Sequence, residues 1–136
     1  MTGYRRIAFV LGLLLAAALP ALAQEPAADP DAGAVALATA VLDRMEAGDF
    51  EGASAEFNAQ MRAGLDPARL AEVQRQIEQT GPVVERAEPR VLHQDGYTVV
   101  VFRIRREQAT LDATVAVDGD GMVGGLHFVP AAGGPQ

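Results

Sequence analysis

Two histidines, one acidic turn and one arginine cluster are the groups in this 136-residue sequence whose types and spacing could do chemistry. His93 and His127 are the only imidazoles, the side chains able to exchange a proton near neutral pH. On a strand lining a pocket either could act as a general base, which requires a positioned partner as well as a suitable pKa. No matching acid is evident from the spacing. His93 precedes Gln94-Asp95-Gly96 and reads as an exposed hairpin residue, and His127 alternates with Leu126 and Phe128, which places it opposite the core. Asp118-Gly119-Asp120-Gly121 presents two carboxylates in a tight turn, as hard cations require. The following Met122-Val123-Gly124-Gly125-Leu126 supplies no further oxygen ligand and no distal Glu, so the stretch reads as a hairpin turn.

Arg103, Arg105 and Arg106, with Arg86 and Arg90, could form an anion-binding patch or pair across strands with Glu85, Glu88, Glu107 and Asp112, as on a solvent-facing sheet. HExxH and G-x-S-x-G patterns are absent from the sequence, and two histidines leave little room for a metal centre. The lack of cysteine excludes disulfides, thiolate metal sites, cysteine nucleophiles and a lipid-modified leader cysteine. No residue is therefore assigned to catalysis, to a cofactor or to a metal, and the chain reads as non-enzymatic.

The segments around these groups set the organisation. Tyr4-Arg5-Arg6 is a basic head, Ile7 to Leu19 an apolar run broken only by Gly12, and Pro20-Ala21-Leu22-Ala23 a helix breaker followed by small residues. That order predicts a Sec-type signal peptide over residues 1–23, cleaved after Ala23, and a periplasmic or secreted product. The apolar run is shorter than the roughly 20 residues a membrane span needs, so no span is expected after cleavage. Without Arg5 and Arg6, nine arginines face 18 acidic residues, a body charge of −9. Export, that charge and the lack of aromatics among the arginines exclude a nucleic-acid partner. Gln24 to Gly33 reads as a flexible linker and residues 131–136 as a disordered tail, leaving one domain over residues 34–130.

Within the domain, helices come first. Val35, Ala38, Val41, Leu42 and Met45 recur on one helical face until Gly48, which suits a left-handed cap. Asp49 caps a second helix carrying Phe50, Ala53, Phe57 and Met61; Asp66-Pro67 starts a third with Leu70, Val73 and Ile77, ended by Gly81-Pro82. After Pro82 the period changes to two. Val83–Ala87 and Arg90–Gln94 read as one edge strand interrupted by Pro89, and Asp95-Gly96 is a two-residue hairpin. Tyr97–Glu107 turns Thr98, Val100, Phe102, Ile104 and Arg106 to one face and Tyr97, Val99, Val101, Arg103 and Arg105 to the other. Strands from Leu111 to Val117 and from Met122 to Pro130 complete an antiparallel meander. The expectation is an α+β fold, three N-terminal helices packed on one face of a curved antiparallel sheet of about four strands.

The segment Leu42–Ala53, with its Gly48-Asp49-Phe50 turn, then Phe57, Met61, Leu65, Leu70 and Gly81, the Asp95–Val100 hairpin and the closing Gly125–Pro130, resembles the bacterial domain of unknown function 3887. That family is a branch of the nuclear transport factor 2-like (cystatin-like cone) superfamily. The resemblance implies a cone-shaped α+β fold, with a pocket between helices and sheet and, as in many superfamily members, sheet-to-sheet dimers. Its motifs specify shape. Some relatives precede α/β hydrolase domains, and that activity does not transfer to a chain without the hydrolase.

The functional expectation is an exported, non-catalytic binding or protein-interaction module with an apolar pocket bounded by Val100, Phe102 and Ile104. Its partners would be a small apolar ligand or an envelope protein, with a homodimer through the outer sheet strip of Tyr97, Val99 and Val101. The alternatives are a small pocket enzyme of isomerase or hydrolase type, favoured by two inward titratable groups within hydrogen-bond reach, and an accessory partner of an envelope hydrolase.

Overall fold

The computed structural model describes residues 29–131. The expected leader, its cleavage site, the first half of the linker and the tail beyond Ala131 lie outside the described residues. Among those described, no helix is long and apolar enough to cross a membrane.

The first helix, α1 (Pro30–Glu46), starts ahead of the expected boundary at Ala34. Its start is the Asp-Pro signal that also starts the last helix. Asp29 caps it by accepting the Asp31 N–H (3.0 Å), and Pro30 occupies the first turn, where its missing donor costs nothing. The proposed linker therefore loses its last residues to the helix. α1 ends at Ala47, with Gly48 left-handed (φ 81°) and the Asp49 N–H bonded back to Arg44 O (2.8 Å).

The expected second helix is two short ones, α2 (Phe50–Ser54) and α3 (Ala59–Gly64). Asn58 sits at the break. Its backbone is extended and its side-chain oxygen caps α3 through the Met61 N–H (2.8 Å), a role asparagine fills better than a helix interior. The chain between the two helices is also bound to the sheet: Val123 N–H donates to Glu56 O and Asn58 N–H to Val123 O, both at 2.9 Å. Phe57, between them, is fully buried. The fourth helix, α4 (Pro67–Glu78), begins at its Asp66 cap as expected.

Five strands follow: β1 (Val83–Arg86), β2 (Arg90–Gln94), β3 (Tyr97–Arg106), β4 (Thr110–Val117) and β5 (Val123–Pro130). β1 and β2 are two pieces of one edge, since both pair with β3, β1 against Ile104–Arg106 and β2 against Tyr97–Val101. The interruption at Pro89 thus ends one strand and starts another. Asp95 (φ 53°) and Gly96 (φ 83°) both take positive φ in the hairpin, as its two-residue length demands. β3, β4 and β5 form the antiparallel meander.

The inner sheet face carries Val100, Phe102, Ile104, Ala113, Val115, Val117 and Leu126 into one core with Ala38, Val41, Leu42, Met45, Ala53, Phe57 and Leu70 from the helices. No described helix lies on the outer face. Leu92 and Tyr97 are exposed there beside half-buried Val99 and Ala116, and Val129 is exposed next to Asp112; Val101, expected in the same outer strip, is buried.

Candidate functional site

The sequence places the floor of a pocket at Val100, Phe102 and Ile104, but in the structure these residues are packed into the core. The space left where Ile104 meets Leu42, Met45 and Ile77 is about 10 Å³, the scale of a single water. Phe102 and Val100 are covered by α1 and by the side chains it brings down, so the cone is filled at that point.

A larger opening lies to one side, a groove of about 410 Å³ between α4 and the free edge of β5. Val73, Gln76, Ile77 and Thr80 line one wall, at the three- and four-residue spacing of one helical face. Leu65, just past α3, closes one end; Leu111 of β4 and Leu126, His127 and Phe128 of β5 form the other wall. Among the described residues, no Asp, Glu or Arg lines the groove. Its polar lining residues are Gln76, Thr80, whose hydroxyl donates to Ile77 O (2.5 Å), and His127. An apolar trough with a few polar groups has the composition common to ligand pockets.

The two histidines stand apart from each other. His93 is exposed at the end of β2, its Nε2 2.8 Å from Asp31 Oδ1 in the first turn of α1. His127 is exposed and cross-strand from Thr114, on the outer sheet face. The acidic turn is satisfied from within: Asp118 Oδ1 accepts the Asp120 and Met122 N–H groups (2.9 and 3.0 Å), and Oδ2 accepts from Asn58 Nδ2 (3.1 Å). These bonds, the Met122 N–H foremost, hold the Asp118 pKa below the ordinary aspartate value. Among the described residues, no group of three His, Asp or Glu side chains could hold a metal ion.

The arginines divide between the two faces. On the outer face Arg103 makes a two-pronged bond to Asp112 (3.0 and 3.2 Å), and Arg105 reaches Glu85 at 3.3 Å. The Arg103 bond lowers the Asp112 pKa, with the arginine charge adding to it. Arg106 leaves that cluster. It belongs to the inner face, where it is buried, donating from Nε to Gly81 O (2.7 Å) and from Nη1 to Glu46 Oε1 (2.8 Å). Arg86 also turns inward, pairing with Asp43 (2.7 Å) with its guanidinium 5.9 Å from the centre of the Phe102 ring. The proposed cross-strand pairing holds for Asp112 and Glu85, while Glu88 and Glu107 make no ion pair among the described residues.

The groove was not legible in the sequence. The spacing put Leu70, Val73 and Ile77 on one buried face of α4, yet Gln74 is buried and Val73 only half-buried. Buried Gln74 bonds Glu78 (3.2 Å), so a polar residue occupies the inward position and Val73 is turned toward the groove. Sequence spacing cannot report that rotation.

Among the described residues, four helices on one side of a five-stranded antiparallel sheet define a small α+β domain of cone type. The model of a family described as "Protein of unknown function (DUF3887)" matches residues 38–126, and the chain belongs to that family. The matched stretch takes in α4 and β5 as far as Leu126, so it includes the α4 wall of the groove and stops short of His127 and Phe128 on the other. No curated protein and no solved structure matches the chain.

Proposed function

We propose that this protein is an exported, non-catalytic binding module that takes an apolar ligand or protein segment in the groove between α4 and β5. The observation that carries this reading is the character of that groove, about 410 Å³ bounded by Leu65, Val73, Ile77, Leu111, Leu126 and Phe128, with no carboxylate or guanidinium in its walls. Binding is favoured over chemistry because the groove offers no pair of titratable groups within reach of each other, the minimum for general acid–base work. The basic head, apolar run and small-residue site of residues 4–23 support export.

The outer sheet face supports a second element of the proposal, a homodimer. Leu92 (50% exposed) and Tyr97, with half-buried Val99 and Ala116 beside them, form an apolar surface that no described helix covers, and a surface of that kind is commonly buried against a copy.

Titration with Nile red, followed by fluorescence, tests the groove. Val73→Glu keeps a good helix former in α4 while putting a charge in the apolar wall. It is expected to weaken dye binding at least tenfold with an unchanged fold by circular dichroism. Equal binding by both proteins would remove the groove as the site. Native mass spectrometry of the protein purified from its own host reads copurified ligand and subunit number together.

A further inference from the structure

We infer that the occupant of the groove is an extended, uncharged segment of a partner protein, added to β5 as a further strand. The inference rests on the groove reading above and names the class of partner. The β4–β5 register fixes which backbone groups of β5 are free. Ala131 N–H donates to Thr110 O (3.0 Å), and the pairing runs from Leu111↔Pro130 through Asp112↔Val129 to Thr114↔His127. Antiparallel alternation therefore turns the N–H and C=O of His127 and Val129 toward β4, and those of Leu126 and Phe128 toward the open edge. No hydrogen bond to these edge groups is made by any other described residue.

The same edge already accepts chain. Glu56 and Asn58 bond Val123, so that Phe57 pairs with it in parallel, and this pairing stops where α3 begins. The stretch from Leu126 to Pro130 continues an edge that the fold itself uses for strand addition. It is roughly 13 Å long, four rises of about 3.3 Å, enough for a short strand. Across the groove, Val73 and Ile77 would receive every second side chain of the incoming segment. The walls offer no counter-charge, which selects against an ionised segment.

The probe is an acetylated, amidated Thr-Val-Thr-Val-Thr peptide, titrated into the mature chain by NMR. Two counterparts, N-methylated at the valines or at the threonines, each lose the donors along one side. Binding is expected to slow amide exchange at Leu126 and Phe128 at least tenfold. One methylation pattern should weaken binding at least tenfold, and the other should leave it within twofold. Phe128→Pro, which removes an edge donor not used in the β4 pairing, should bind at least tenfold more weakly than Phe128→Leu. Equal binding by both methylated peptides, or unchanged exchange at the two amides, overturns the inference. Nile red binding without peptide binding overturns it and leaves the groove reading standing; failure of both ends both. Concentration-dependent protection of Leu126 and Phe128 without peptide would make the occupant a second copy, and overturns it too.

Discussion

The ion pair between Arg106 and Glu46 should respond asymmetrically to deletion of its two halves. The Arg106 side chain is 3% exposed and Glu46 is 35% exposed, although the two touch at 2.8 Å. What is left behind decides the cost. Arg106→Met keeps most of the apolar stem, and the abandoned carboxylate can be rehydrated. The loss is then two bonds to a charged donor, each about 1.5–3 kcal/mol, offset by relief of the guanidinium's own desolvation, leaving about 2 kcal/mol. Glu46→Ala strands a buried guanidinium with only Gly81 O as partner, a situation that costs about 3–5 kcal/mol. A carboxylate in the last turn of α1 opposes the helix dipole, and its removal returns no more than about 1 kcal/mol. For a domain of this size each kcal/mol shifts Tm by about 4–8 °C, so Arg106→Met should lower Tm by about 8–16 °C and Glu46→Ala by more. Differential scanning calorimetry and urea unfolding of both variants read the order directly. The double variant Arg106→Met with Glu46→Leu should recover most of the loss. A Glu46→Ala protein more stable than Arg106→Met, or losses below about 1 kcal/mol for both, would refute the burial argument.

Three other outcomes follow from the structure. Asp118 titrates below its unfolded value because the Met122 N–H and the Asn58 amide bind its ionised form. Its contribution is therefore complete above the unfolded pKa of about 3.9 and is lost as pH falls through the folded pKa. Asp118→Asn should be less stable than the parent at pH 7, with the gap in urea midpoint closing below about pH 4; a constant gap would contradict this assignment. Gly124→Ala puts a Cβ 2.9 Å from Tyr97 Cε1 and 3.1 Å from Asn58 Nδ2, so it should cost about 1–3 kcal/mol in thermal unfolding and loosen exchange protection at Met61, whose N–H Asn58 caps. Leu92→Glu, on the exposed outer face, should leave Tm within a few degrees and convert a dimer to monomer in light scattering; an unchanged mass would remove that face as the interface.

The sequence determined the export expectation, the α+β class and most element starts, because these rest on local signals. Asp66-Pro67, Gly48 and Asp95-Gly96 act through their own backbone preferences, and the structure uses each as expected. The period of two along Tyr97–Arg106 likewise assigned both faces of β3, with Val100, Phe102 and Ile104 buried and Arg103 and Arg105 exposed. The start of α1 at Asp29-Pro30 was equally legible by the rule applied at Asp66-Pro67, and the acidic, proline-containing context hid it.

Tertiary structure alone decided the rest. Whether Phe50 to Met61 forms one helix or two depends on Val123, distant in sequence, which bonds the chain at Glu56 and Asn58. Arg106 sits among apparent surface arginines in the sequence, and only the return of Glu46 and Gly81 to the same spot makes an inward guanidinium tolerable. The groove arises where α4 fails to cover β5. A side-chain period reports which face of an element turns inward, but the gap left between two elements depends on how far apart their packing sets them, and no local preference encodes that distance.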